Sequence, residues 1–321
     1  MGRAHPSHVC SQVAKVTSSA AEKEPRRVWR GIVEHGRSLP TARMDSVARM
    51  TFSIVARSAD TESWGVAVAS KFLAVGAVVP AAVAQVGAIA TQADANVAYK
   101  GLALAHLDEG ATASVALQRL LEEDEGRDDR QVGIVDVDGG AASHTGHACI
   151  EWAGGVTGEG YAIQGNCLAG SAVVEDMELA WLASDPESPL AERLLAALAA
   201  GDAAGGDKRG RQSAALLVVR DEAGYAGGDD IDTDLRVDDH VAPIEELTRL
   251  LDLNVLYLTA STPDEQVAVT PELEAELEAF AQTHGHPDFH TWVGTENYEM
   301  RVSPQLEWID QRVLAIVRGE R

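Results

Sequence analysis

From residue 51 onward, short runs of β-branched and small apolar residues alternate with longer stretches that repeat an apolar side chain every three or four positions. TFSIVARS and WGVAVASKF (51–58 and 64–72) are two such short runs joined by the polar loop ADTES, which predicts a β-hairpin. AVGAVVPAAVAQVGAIATQ keeps the β character, is interrupted by Pro80, and ends in the polar cluster Thr91, Gln92, Asp94 and Asn96. Helical spacing follows in VAYKGLALAHLDEG, with Leu102, Ala105 and His106 on one face, and in ATASVALQRLLEEDEG through Val115, Leu117, Leu120 and Leu121. QVGIVDVDGG, AASHTGHACIEWAGG and GYAIQGNCLAG read as three further strands.

A helix pair, SAVVEDMELAWLAS and PLAERLLAALAAG, comes next, with Pro189 at the start of its second member. The loop GGDKRGRQ leads into the strand SAALLVVRD and its partner DTDLRVDDH, and Pro243 opens the helix PIEELTRLLDLNVLYL. Runs of strands between runs of helices predict an α+β fold in which two sheets pack together with helices outside. Beyond a linker at STPDEQ, residues 261–321 predict a small, mostly helical module. It holds one amphipathic helix bounded by Pro271 and Gly285, and several aromatics.

Charge divides the chain at the same place as the pattern. Residues 1–50 hold nine Lys/Arg and four Asp/Glu, a balance of +5, whereas 51–321 hold 17 and 46, a balance of −29. The first fifty residues therefore read either as a disordered basic leader or as a mis-called start, with the true one at Met44 or Met50. The second reading is favoured because the strand pattern begins directly after Met50. Arg26-Arg27 has no long apolar segment behind it and is not an export signal. So acidic a surface argues against nucleic acid as a partner, and no apolar run reaches transmembrane length, so no membrane is expected. Abundant acid with only Lys71, Lys100 and Lys208 after residue 50 is a halophilic composition. Cys10, Cys149 and Cys167 form neither a disulfide framework nor a metal cluster, which fits a reducing cytoplasm. No metal and no organic cofactor is expected.

If the methionine at 50 is the start and is removed, Thr51 carries hydroxyl nucleophile and amine base in one residue. The plainer alternative is an ordinary strand threonine. Lys71, at the end of an apolar strand in a lysine-poor chain, can lower the nucleophile's pKa or bind a substrate carboxylate; the alternative is a lysine reaching for water. Thr51 and Ser53 share a face of their strand, and a regular hairpin brings that face to Ser70 or Lys71, with the register open. Asn166, in the strand-ending QGN, is a candidate oxyanion donor, and Gly165 allows close backbone approach; a simple turn explains both equally. Thr91 and Gln92 can hold a substrate amide or cap the next helix. His144 is a candidate acid or base, and Ser213 can approach from a neighbouring strand. GDKRGRQS is basic enough to take an anion but lacks phosphate-loop spacing.

Taken together, TFSIVARS, WGVAVASKF, GAIATQADAN, RDDRQVGIVDVDG, SHTGHACIEWAG, YAIQGNCLAG, GDKRGRQSAALLVV and DLRVDDH resemble the family called domain of unknown function 1028, from about residue 51 to about residue 257. The resemblance implies an N-terminal-nucleophile (Ntn) hydrolase-like domain over residues 51–260, a four-layer αββα sandwich that begins with a threonine-containing strand. WVGTENYEMRV and IDQRVLAIVR resemble a peptidoglycan-binding-like module appended to that family. The expected activity is hydrolysis of a small amide or amide-like bond by Thr51, with Lys71 and Asn166 assisting and a small-molecule amide as partner. A homo-oligomer stays open. The alternative is a catalytically silent binding protein on the same scaffold, associated with cell wall.

Overall fold

The structure, a computed structural model, describes residues 51–320, and the expectations for residues 1–50 lie outside them. Thr51–Arg57 (β1) and Ser63–Ser70 (β2) pair antiparallel as the hairpin, with Thr51 opposite Ser70. They form the centre of a six-stranded antiparallel sheet. β1 pairs on its other side with Tyr161–Asn166 (β8), which pairs with Gly154–Gly158 (β7). β2 pairs with Ser213–Arg220 (β9), and Ile231–Val237 (β10) closes that edge. The second sheet is a four-stranded meander of Pro80–Val83 (β3), Gly87–Ala93 (β4), Arg130–Asp136 (β5) and Ala141–Thr145 (β6).

Strand alternation sorts each sheet's side chains onto two faces. In β1 the even positions Phe52, Ile54 and Ala56 join a core with Met177, Leu194 and Leu198. These belong to the helices Ala172–Ala183 (α4) and Leu190–Ala203 (α5), and Pro243–Leu258 (α6) adds Ile244, Leu247 and Leu251. The odd position Val55 faces the other way. With Trp64, Val66, Val68 and Ala162 it meets Ala88, Ala90 and Val135 of the second sheet. The outer face of that sheet carries Ile89, Val132 and Ile134 against Ala98–Asp108 (α2) and Ala113–Glu123 (α3). Each fully buried Phe, Ile, Leu or Val contributes about 1.5–3 kcal/mol. The Trp64 indole N–H, fully buried between the sheets, donates to the Asp136 carbonyl at 3.3 Å.

Four local expectations differ from the structure. In α3 the buried face is Ala113, Ala116, Leu117 and Leu120, and Val115 is exposed. Val75–Val78 forms a single helical turn, α1, rather than strand; it is held by Ser213 Oγ, which accepts from the Val75 N–H at 3.1 Å. In α2 the buried face is Tyr99, Ala103, Leu104 and Leu107, not Leu102, Ala105 and His106. Tyr99 sets that rotation, because its large ring is buried and its hydroxyl donates to Asp124 Oδ2 at 2.7 Å. AASHTGHACIEWAGG is not one strand: β6 and β7 lie in different sheets, separated by residues 146–153.

Residues 267–317 form a separate small core that includes Leu277, Phe289, Trp292, Ile309 and Val313. Its elements are Gln266–Ala268 (β11), Pro271–Thr283 (α7), Phe289–Thr295 (α8), Trp308–Asp310 (β12) and Gln311–Arg318 (α9). Thr270 caps α7, accepting from the Leu273 N–H at 3.3 Å, the start that the Thr-Pro pair predicts. Leu256 of α6 is shared with this core. Arg301, 1% exposed, donates to the Leu256 carbonyl at 3.1 Å and to Asp310 Oδ2 at 3.0 Å, tying the end of α6 to β12. Among the described residues no helix is long and apolar enough to cross a membrane.

Candidate functional site

Thr51 heads the central strand of the larger sheet, so both its neighbours are strand ends: Ser70 across one ladder and Asn166 across the other. Its side chain lies on the inter-sheet face, 4% exposed, and its hydroxyl donates to Ser70 Oγ at 3.2 Å. The hairpin register therefore selects Ser70, not Lys71, as the neighbour of Thr51. The Lys71 ammonium donates to the Arg211 carbonyl at 3.2 Å, and its backbone N–H donates to Asp207 Oδ2 at 2.7 Å.

Below Thr51 the two sheets are joined by side-chain amides instead of hydrocarbon. Ser53 Oγ donates to Gln92 Oε1 at 2.7 Å and accepts from Gln164 Nε2 at 2.7 Å. Gln92 Nε2 donates to Gln131 Oε1 at 2.8 Å and to the Thr51 carbonyl at 3.3 Å. Asn166 Nδ2 donates to Gln131 Oε1 at 2.9 Å, with a long contact to the Thr51 carbonyl at 3.5 Å. Gln131 Nε2 in turn donates to the Gly165 carbonyl at 2.8 Å and to Thr145 Oγ1 at 2.9 Å. Ser53, Gln92, Gln131, Gln164 and Asn166 are each at most 1% exposed. Buried amides stabilise only when paired, and this set is paired apart from Gln164 Oε1. That oxygen faces Gly133, where a Cβ would lie 2.1 Å away. Any larger residue at 133 would push the Gln164 side chain out of the network.

Of the residues singled out from sequence, Thr51, Ser53, Ser70, Gln92 and Asn166 come together here. Gly165 contributes its carbonyl, and its missing side chain makes room for Leu168, whose Cδ1 would be 2.4 Å from a Cβ. Asn166 does not present its amide to open space, because both its contacts are within the network. Thr91 and His144 lie one position out of phase, on the outer face of the smaller sheet. Thr91 donates to the Asn96 carbonyl at 3.3 Å, and His144 Nε2 is 2.9 Å from the Arg127 carbonyl. Ser213 is opposite Ser70, one strand further from Thr51, and donates to the Phe72 carbonyl at 2.5 Å. Alternation turns Thr91 and His144 away from Thr51, while Ser213 shares the inter-sheet face but is separated from Thr51 by β2.

Gln131, Gln164, Thr145 and Asp207 were not picked out. A signal exists for Gln164 and Thr145: polar residues two apart at the end of a strand, as in Thr51/Ser53, Gln164/Asn166 and Ser143/Thr145. Asp207, 6% exposed, anchors the loop 207–212 over this end of the sheet. It pairs with Arg209 at 2.9 Å and receives the Lys71 N–H, and Leu168 bridges to it from the end of β8. Lys208 Nζ donates to the Glu151 carbonyl at 2.8 Å. Cys149, half-buried, has its thiol pushed up to about 11 by burial, and Cys167 is fully buried; both are free.

A cleft of about 310 Å³ between the edges of β6 and β7 is lined by Thr145, Gly154 and Ser143 and abuts Gln131 from the side. A larger cavity, about 670 Å³, lies elsewhere, between α3 and β6. It is lined by Leu117, Leu121 and Arg127 and reaches none of the Thr51 network. Among the described residues no three His, Cys, Asp or Glu side chains converge to hold a metal ion.

Residues 51–247 match the model of a family of unknown function (DUF1028). The chain is similar to protein SPO2555 from Silicibacter pomeroyi, a crystal structure matched by the same family model. The identity is 32% and the TM-score 0.58, over 64% of this chain and 89% of that one. No curated protein matches the chain.

Proposed function

The chain belongs to the family of unknown function DUF1028, and on that premise we propose that it is an Ntn-type amidohydrolase with a four-layer αββα core and Thr51 as its nucleophile. The observation that carries the reading is the setting of Thr51: the first residue of the central strand, hydroxyl on Ser70, carbonyl within reach of Gln92 and Asn166. A nucleophile needs a fixed position and a base at hand. The amide network supplies the first by holding the Thr51 backbone between two sheets. The second requires the chain to begin at Thr51, with an unblocked amine.

In the proposed reaction the Thr51 amine takes the hydroxyl proton, directly or through a water, and Oγ1 bonds to the amide carbonyl carbon. The tetrahedral intermediate collapses as the ammonium returns the proton to the leaving nitrogen, breaking the C–N bond and leaving an acyl ester on Thr51. Water, activated by the same amine, attacks the ester, releases the acid and restores the hydroxyl. Ser70 orients Oγ1, and Lys71, one residue further on, adds positive field at the developing alkoxide. Asn166 and Gln92 are positioning residues in this scheme.

The test is the protein made in its own host. Its mass should correspond to a chain starting at Thr51, and an amide-mimicking acylating agent should label that residue. Thr51→Ala should lower turnover of a responsive amide by roughly a thousandfold or more, and Thr51→Ser should retain part of it. Full turnover in Thr51→Ala, or in a chain that keeps residues ahead of Thr51, would overturn the proposal.

A further inference from the structure

We propose that Lys71 and Lys208 form a carboxylate-binding subsite beside Thr51, so that the substrate of the proposed amidohydrolase carries a free carboxylate next to its scissile amide, as an N-acyl amino acid does. The inference rests on the Ntn reading for the identity of the reaction. The subsite itself is argued from charge and topology.

Residues 51–321 hold 17 basic and 46 acidic side chains, so an anionic ligand is repelled by most of the surface. Four of the 17, Lys71, Lys208, Arg209 and Arg211, come from two short segments at the Thr51 end of the larger sheet. Lys71 follows Ser70, the partner of Thr51 on one side. Lys208 donates its N–H to the carbonyl of Cys167, the residue after Asn166, the partner of Thr51 on the other side, at 3.4 Å. The loop that carries Lys208 thus crosses from the end of β8 to the end of β2, beyond the start of β1. The two lysines flank the strand that Thr51 heads.

The four cations differ in what neutralises them. Arg209 is paired with Asp207 at 2.9 Å and Arg211 with Asp202 at 2.7 Å, with Glu245 at 4.0 Å. The lysines are exposed, and their ammoniums donate to carbonyl oxygens, of Arg211 and of Glu151. A carbonyl leaves the charge of an ammonium in place. Both arginine forks, the groups that match phosphate best, are engaged by aspartates, whereas a lysine is a point charge suited to a single carboxylate. The third lysine of the described residues, Lys100, donates to the Ala77 carbonyl and lies on α2, against the other sheet. It provides the control.

The probe pair is N-acetylglycine, which has the carboxylate, and N-acetylglycinamide, which lacks it. Binding is measured by calorimetry on the full chain and on Thr51→Ala. The acid should bind about tenfold tighter than the amide at low salt, and added salt should weaken the preference. Lys71→Met and Lys208→Met should each reduce the preference about threefold and the double variant should abolish it, with Lys100→Met unchanged. Equal binding of acid and amide, binding of neither, or a preference that survives the double variant overturns the subsite. Thr51→Ala separates the two readings: retained carboxylate preference with retained turnover removes the Ntn reaction and leaves the subsite. Loss of turnover with no carboxylate preference does the reverse.

Discussion

Replacing Gln131 by leucine tests whether the amide network, and not the surrounding hydrocarbon, holds the Thr51 end of the two sheets together. Leucine nearly conserves the volume but removes one acceptor and one donor group at a fully buried position. Gln92 Nε2 keeps its contacts to the carbonyls of Thr51 and Gln164, both at 3.3 Å. Thr145 Oγ1 and the Gly154 carbonyl line the cleft at the β6 and β7 edges and can be met by water. One group is left stranded. Asn166 Nδ2 retains a single contact at 3.5 Å, whereas the Gly165 carbonyl loses its 2.8 Å donor but stays in the ladder opposite Gly154. A buried unsatisfied group costs about 1–3 kcal/mol, so the variant should lose about 1–3 kcal/mol. That is an appreciable part of the roughly 5–15 kcal/mol that stabilises a typical domain.

The assay is urea unfolding combined with amide hydrogen exchange. With a slope of about 3 kcal/mol per molar, the midpoint should fall by about 0.3–1 M. Exchange should accelerate in β1, β5 and β8 but not at Leu277, Phe289 or Ile309 in the separate C-terminal core. Gln131→Glu supplies a rank order. It keeps acceptor oxygens, loses both amide hydrogens and buries a charge, so it should destabilise more than leucine at neutral pH. A midpoint shift below about 0.3 M for leucine, or better tolerance of glutamate than of leucine, would refute the argument.

Arg301→Met should selectively unfold the C-terminal core, by about 3–5 kcal/mol, because it leaves Asp310, fully buried, without its cation. Limited proteolysis should then cut within residues 267–317 while β1–β10 remain protected. Burial opposes ionisation of Asp124, but hydrogen bonds from Arg130, Tyr99, the Gly126 N–H and Asn96 outweigh it and hold the carboxyl well below the usual range. A depressed folded-state pKa stabilises above the unfolded value of about 4, and that stability is lost as pH falls below it. Asp124→Asn should therefore lower the melting temperature at pH 7 and flatten its decline between about pH 4 and pH 2, and an unchanged acid slope would count against this assignment.

The β1–β2 hairpin and the β9–β10 pair were legible in the sequence because each is local: alternation and a polar turn sit in one short window. The separation of β6 from β7 was not, because AASHTGHACIEWAGG mixes polar and apolar residues with no proline to break it, and only pairing with β5 and β8 assigns its two halves to different sheets. The site divides along the same line. Thr51, Ser53, Ser70 and Asn166 were readable because each is a polar residue at the end of an apolar strand. Thr91 and His144 satisfy that description too, yet face outward. One residue of phase separates Gln92 from Thr91, and phase is fixed by what the sheet packs against, not by the strand's own letters. Gln131 shows why. It is the second residue of β5, far in sequence from β1, and its five hydrogen bonds reach β4, β6, β7 and β8. Its role exists only once the sheets are stacked. A strand-ending glutamine is unremarkable alone, but placed where four strand ends converge on Thr51 it becomes the junction through which the two sheets hold that residue.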